Sequence, residues 1–240
     1  YNELLTQGNP EDPNVKIRKV MVEMGKAASK DQRGKLDDLG ERLLDIGRES
    51  GQASLWLYTY IVYAGFLFRY KDGETLALLD KGITLCDSHQ SDSSVAAMTV
   101  TAYTYKASYL NYIGKHEEAL EWFERTLDYC LLHNDIINAI GVCRNIITIS
   151  ILNSTQETGS MLLYKLLPHL STIEDESLKH TDFILIAAFL LSYDKNMTKN
   201  SRQDIEERMK RIYGESWASQ ATIQLQQIKT PKQPNIDEFS

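Results

Sequence analysis

Residues 102–128 read AYTYKASYLNYIGKHEEALEWFERTLD, and the fold follows from how this stretch breaks in two. Its first part belongs to a helical segment over residues 94–113. A short polar break follows, Gly114-Lys115-His116. Glycine tolerates left-handed dihedrals and so ends helices. Beyond the break, Leu120, Phe123, Leu127 and Cys130 stand at i, i+3, i+7 and i+10. That spacing is one stripe on a helix of about 3.6 residues per turn. Two helices joined by so short a loop run antiparallel and must pack on one another.

The same stripe recurs on both sides. It reads Leu36, Leu39, Leu43, Ile46, then Leu76, Leu79, Ile83, Cys86, and after the quoted copy Leu163, Leu166, Leu170, Ile173. Successive copies lie 40, 44 and 43 residues apart. A second helical segment precedes each stripe. The first carries Val15, Val20, Met21 and Met24, the next spans residues 54–70 and is rich in aromatics, and residues 136–152 form the last. Polar breaks divide the pairs internally at Lys71-Asp72-Gly73 and Asn153-Ser154-Thr155. Cap-rich breaks, Ser88–Ser93 and His133–Asp135, separate pair from pair. The unit is helix, turn, helix, and stacked units of this kind form an all-α solenoid.

The period places units at about 13–49, 53–88, 93–133, 135–173 and 179–213, which is four to five repeats. The last carries a different stripe, with Phe183, Ile186 and Leu190, then Ile205, Met209 and Ile212. Terminal units of solenoids are atypical because one face meets water. Residues 1–12 read as a linker, and 214–228 as a terminal helix running from about Glu215 to Ile228. Residues 229–240 hold two prolines and little periodicity, the pattern of a disordered tail. The sequence opens on Tyr1 without a methionine or a signal pattern. A fragment or processed chain, with a further domain upstream, is the expectation.

Bulk composition narrows the function. Of 240 residues, 42% are hydrophobic and 25% charged, as in ordinary globular proteins. Five prolines and 13 glycines are few for a turn-rich sheet sandwich. The net charge of −7 disfavours duplex binding, which needs several Lys or Arg to displace counterions. Two locally basic stretches, Lys16 to Lys35 and Lys195 to Arg211, are interspersed with or flanked by acids and read as solvated helix faces. No direct nucleic-acid binding is expected. No apolar run reaches the roughly 20 residues of a membrane span. The longest candidate, Phe183 to Leu191, is about half that. Three cysteines, Cys86, Cys130 and Cys143, make no disulfide framework and fit a reducing, cytoplasmic compartment.

Two Cys-x-x-His pairs, Cys86–His89 and Cys130–His133, offer a zinc-like ligand set. They are 44 residues apart, which is the repeat period. Stacked repeats would put them on neighbouring helices about 10 Å apart. Both cysteines also continue the apolar stripe, so core cysteines are expected, with no metal and no cofactor. No nucleophile elbow, Walker loop or Rossmann glycine pattern is present. Glu117-Glu118 and Glu206-Glu207 are helix neighbours that point about 100° apart and cannot clasp one substrate. The chain does not read as an enzyme.

Residues 102–128 resemble one tetratricopeptide unit. Ala107 matches the small residue of its first helix and Leu110 the large apolar residue after it. Gly114 matches the turn glycine, Ala119 the small residue of the second helix, and Phe123 the aromatic beyond it. The small residues let the two helices approach closely. Residues 57–85 keep Gly65 and Ala77 but carry Lys81 where an aromatic is expected. Residues 139–170 keep Asn145 but lack the second small residue, and Pro168 interrupts them. The long period is similar to that of repeats in bacterial signalling proteins. Examples are MalT-like sensor domains, the peptide receptors of the Rap, PlcR and Rgg group, and helical sensor regions ahead of cyclase domains.

The resemblance implies a right-handed solenoid whose concave face is lined by the first helix of each pair. It places Tyr63, Phe66 and Arg69, then Tyr105, Ser108, Asn111 and Tyr112, then Arg144, Asn145 and Thr148 on that face. Asn amides pair with peptide backbone, Arg holds carboxylates, and aromatics give contact area at low entropy cost. The implied function is a regulatory domain of a bacterial intracellular regulator, in signal transduction or transcription regulation. It would bind a peptide or protein segment and switch conformation. Homodimerisation fits the same reading. The alternative is a constitutive scaffold or chaperone adaptor that does not switch.

Overall fold

Among the described residues, four helices begin at a side chain that accepts a hydrogen bond from one of their free first-turn amides. Asp12 Oδ1 accepts from the Asn14 amide at 2.8 Å, and Asp92 Oδ1 from that of Ser94 at 2.9 Å. Asp135 Oδ1 accepts from Asn138 at 3.3 Å, and Thr198 Oγ1 from Ser201 at 3.1 Å. These caps belong to a computed structural model that describes residues 9–71, 73–166, 169 and 181–229. Among the described residues there are eleven α-helices and no strand. The chain divides into two units, Tyr1–Gly114 and Lys115–Ser240. The division falls in the turn of the segment quoted above.

The first unit holds α1 (Pro13–Ser29), α2 (Arg33–Glu49), α3 (Ala53–Leu67), α4 (Gly73–Ser88) and α5 (Ser93–Tyr112). A 3-10 turn, Phe68–Tyr70, extends α3. Helix α1 packs on α2, α2 on α3, α3 on α4, and α5 on both α3 and α4. Their shared core includes Ile17, Val20 and Met24 of α1, Leu36, Leu39 and Leu43 of α2, and Leu67, Leu79 and Tyr109. The apolar stripes read from the sequence face inward: Leu36 and Leu43 are wholly buried, and Leu79, Ile83 and Cys86 are nearly so.

Helices α2 and α3 meet at unusually short range. A Cβ added at Gly40 would land on the ring of Tyr63, so the aromatic lies where any side chain at residue 40 would start. Glycine is required there for close approach rather than for backbone freedom.

The second unit holds α6 (His116–Leu132), α7 (Ile136–Leu152), α8 (Gln156–Tyr164), α9 (Thr181–Tyr193), α10 (Lys199–Tyr213) and α11 (Trp217–Lys229). Helix α7 packs on α6, α8, α9 and α11. Leu120, Phe123, Leu127 and Cys130 of the quoted stripe are all buried. The run from Phe183 to Leu190 is buried throughout and forms a central helix of this unit. No helix among the described residues is long and apolar enough to cross a membrane. Lys165 reaches back from the end of α8 to Glu124 Oε1 and Asp128 Oδ1 of α6, each at 2.7 Å.

The turns differ from expectation in detail. Positive φ falls at Gly114 (85°) and Asn134 (54°), inside the expected breaks. In two further breaks it falls at Lys71 (53°) and Ser154 (59°). Gly73 opens α4, and Asn153 caps α7 with φ at −109°. The final helix runs Trp217–Lys229, two residues later than the expected start. Leu170 and Ile173 of the fourth stripe, Pro168, and the expected tail beyond Lys229 lie outside the described residues, as do the first eight residues of the expected linker.

Candidate functional site

Helices α1, α3 and α5 are the first members of successive pairs, and α3 and α5 each bring a second row of residues to one surface. On α3 that stripe is Tyr58, Ile61, Val62 and Gly65. On α5 it is Met98, Thr101, Tyr105 and Ser108. Residues three and four apart lie on one helix face. With Met21 of α1, Phe66, Phe68 and Thr104, these side chains line an open groove of about 600 Å³. That falls in the range of about 300–1,000 Å³ typical of ligand sites. No lining residue is charged.

The groove walls are held by aromatic contacts. The Phe68 and Tyr105 rings meet edge to face with centroids 5.7 Å apart, and Phe68 lies 4.9 Å from Tyr109. The Tyr58 hydroxyl is 3.6 Å from the Met21 sulfur. Gly65 leaves a gap in the α3 wall, where an added Cβ would meet only Tyr105 Cε1, at 3.4 Å. One turn beyond Ser108, the Lys71 ammonium sits 4.5 Å from the Tyr112 ring centroid.

Of the residues expected on the binding face, Phe66, Tyr105 and Ser108 line this groove. Tyr112 is 47% exposed and stands beyond its end. Asn111 is half-buried beside it in sequence but does not line it. Arg69 turns away to Asp31, with Nη2 2.5 Å from Oδ1, and its guanidinium lies 5.0 Å from the Tyr70 ring centroid. Its hydrogen bond, joined by that of Tyr70, holds the Asp31 carboxyl below its ordinary value. Arg144, Asn145 and Thr148 belong to α7 of the second unit. Arg144 is exposed and Asn145 half-buried, while Thr148 Oγ1 donates to the Arg144 carbonyl one turn back at 2.9 Å.

Tyr63 requires a correction. It is 1% exposed, in the core between α2 and α4, and cannot meet a ligand. Its hydroxyl faces Asp37 Oδ1 and Glu74 Oε1, each at 3.3 Å. Burial, then the two carboxylates, pushes the phenol far above its ordinary value, so it remains a donor at every physiological pH. Arg33 joins the cluster, bonding Asp37 through Nε at 2.7 Å and Glu74 through Nη2. Tyr63→Phe is expected to lower stability by about 1 kcal/mol, the net value of one hydrogen bond. Urea unfolding measures it, and an unchanged midpoint would mean the hydroxyl is dispensable.

The lining residues missed from sequence are Met21, Tyr58, Ile61, Val62, Gly65, Phe68, Met98, Thr101 and Thr104. The two stripes on α3 and α5 were available as a signal, but both helices are apolar on more than one face. A second, smaller cavity of about 260 Å³ lies between α2, α3 and α4, with Trp56 and Tyr60 in its lining. Its charges are largely spent on neighbours: Arg48 pairs with Asp45 at 2.6 Å, and Glu74 with Arg33 and Tyr63.

In both Cys-x-x-His pairs the cysteine is a core residue. Cys86 and Cys130 are 2% and 0% exposed. His89 Nδ1 is 3.1 Å from the Leu85 carbonyl, and the His133 ring lies 4.4 Å from that of Tyr129. Among the described residues, no three His, Cys, Asp or Glu side chains converge on a point that could hold a metal ion. Burial pushes the Cys130 thiol up to about 12, and raises those of Cys86 and Cys143 as well. All three thiols are therefore expected to react with a disulfide reagent at pH 8 only after denaturant is added. Rapid reaction of native protein would show that a core helix opens.

No family model matches the chain, and no curated protein matches it closely enough to count as a relative.

Proposed function

We propose that this chain is a partner-binding domain that holds a segment of a peptide or protein in the groove on α1, α3 and α5. The observation that supports the reading is the composition of that groove: large apolar and aromatic side chains, five hydroxyls and no charge, across three helices. Sites that bind by burial are built this way, with apolar walls and a few polar groups that orient the ligand. The first helices of the pairs supply it, as the tetratricopeptide resemblance implies. Helix pairs of this type, stacked as a right-handed solenoid, are part of the proposal.

In this reading the chain carries out no chemistry. It belongs to a bacterial intracellular regulator of signalling or transcription, in the cytoplasm, and the bound segment shifts its conformational population. A constitutive scaffold is the second reading. Solution scattering separates them: a profile that changes on binding supports the switch, and an unchanged profile supports the scaffold.

The test of binding is selection from a phage-displayed peptide library on the native chain. Apolar sequences should be enriched, and the selected peptides should protect Tyr105 and Phe66 from surface labelling. Selection of charged sequences, or of none, would sink the groove as the site.

A further inference from the structure

The smaller cavity, between α2, α3 and α4, is lined by three acidic and two basic side chains. Three of the five are answered by neighbours. Arg48 holds Asp45 at 2.6 Å, and Glu74 is held by Arg33 and the Tyr63 hydroxyl. Glu41 and Lys81 remain: neither side chain has an ion pair or hydrogen bond among the described residues. The Trp56 indole N–H and the Tyr60 hydroxyl are also unpaired among them. One anion, one cation and two neutral polar groups therefore border one space, and the two unpaired charges cancel.

The helices set these groups in place. Glu41, Leu44 and Arg48 stand at i, i+3 and i+7 on α2, and Glu74, Ala77 and Lys81 repeat that spacing on α4. Each set is one helix face. Between them α3 brings Trp56 and Tyr60, one turn apart, with ring centroids 6.1 Å from each other. Glycines let α3 come close on both sides. A Cβ at Gly47 would lie 3.0 Å from Trp56 Cα, and one at Gly82 would lie 3.4 Å from Tyr60 Cβ. Tyr63 meets Gly40 of α2, and Tyr60 meets Gly82 of α4. Glu41 and Lys81, each next to one of those glycines, thus stand on opposite walls within about one helical turn, ~5.4 Å, along the bundle. The groove row of α3, Tyr58, Ile61, Val62 and Gly65, is on another face of that helix, so the two sites are separate.

We infer that this cavity binds a free α-amino acid with an apolar side chain. A ligand of one charge sign would answer Glu41 or Lys81 and be repelled by the other. A zwitterion answers both: its ammonium donates to the Glu41 carboxylate, and its carboxylate accepts from the Lys81 ammonium. The two charged groups of an α-amino acid share one carbon, and the flexible four-carbon stem of Lys81 closes the remaining distance. The ligand side chain lies against the Trp56 and Tyr60 rings, which give large contact area at low entropy cost. Size agrees. At about 30 Å³ per water-sized group, 260 Å³ holds about nine such groups, the size of leucine. Glu41 and Lys81 are exposed, so solvent screens both pairs and the affinity is modest.

The test uses the whole chain with its three tryptophans replaced by 5-fluorotryptophan, followed by fluorine NMR, with the Trp56 signal assigned from Trp56→Phe. L-Phenylalanine at millimolar concentration should shift the Trp56 signal alone and to saturation. Phenethylamine, which lacks the carboxylate, and 3-phenylpropionate, which lacks the ammonium, should each bind about 10-fold more weakly, the scale of one charge-assisted hydrogen bond. Glycine, without the side chain, should bind more weakly still. Lys81→Gln should erase the preference over phenethylamine, and Glu41→Gln the preference over 3-phenylpropionate. Both variants should keep the parent's thermal melt. Binding of phenethylamine, 3-phenylpropionate or glycine as tight as that of phenylalanine would overturn the inference. So would full preferences in both variants, or an unmoved Trp56 signal with both phenylalanine and leucine. None of these results bears on the groove.

Discussion

Replacing Gly65 by leucine is expected to abolish binding in the groove while leaving the fold intact. The position sits in the α3 wall, and its Cβ would meet only Tyr105 Cε1, at 3.4 Å, an ordinary contact. The first carbon therefore fits, and the isobutyl group beyond it has the groove as its free space. Leucine is also the better helix former, by up to about 1 kcal/mol. The expected result is a melting temperature equal to or above that of the parent and affinity reduced at least about 30-fold, the scale of a hot-spot loss. Anisotropy with a selected peptide and a thermal melt measure the two effects. Unchanged affinity with an unchanged melt would place the partner elsewhere.

Gly40→Ala is expected to behave in the opposite way. Here the added carbon would fall on the ring of Tyr63, a side chain that is 1% exposed. That ring cannot step aside freely, because its hydroxyl faces Asp37 and Glu74 and its body fills the core. Overpacking of this kind costs about 1–3 kcal/mol and outweighs the gain of about 1 kcal/mol from replacing a helix glycine. Gly25→Ala is the control: nothing lies within 4 Å of its Cβ position. It should raise stability by about 0.5–1 kcal/mol. If both substitutions stabilise equally, α2 and α3 are not in the close contact described here.

The helices were legible because their signal is redundant. Leu36, Leu39 and Leu43, or Leu120, Phe123 and Leu127, repeat one apolar stripe, and the stripe is what the core buries. Caps such as Asp92 and Asp135 and the turn at Gly114 add independent marks at the ends. Turn detail was less legible, since Lys71 and Ser154 take left-handed backbone next to residues better suited to it. The site was read only in part, for a physical reason. Residues 53–67 are apolar on nearly every side, so periodicity does not say which aromatic is core and which is wall. Tyr63 and Phe66 stand three apart on α3, and one is sealed under Gly40 while the other borders the groove. The glycine that separates them in role lies on another helix, 23 residues earlier.

The central claim is that the groove on α1, α3 and α5 is where a partner segment binds, and two methionines stand in it as reporters. Met21 and Met98 line the groove, whereas Met161 and Met209 lie in the second unit. The most direct measurement is a titration of the chain, labelled with carbon-13 at its methionine methyls, with a peptide selected on the native chain, followed by NMR. The account predicts that the Met21 and Met98 signals shift and saturate together, and that Gly65→Leu removes both shifts. Shifts confined to Met161 or Met209, or none at Met21 and Met98 at saturating peptide, would contradict it.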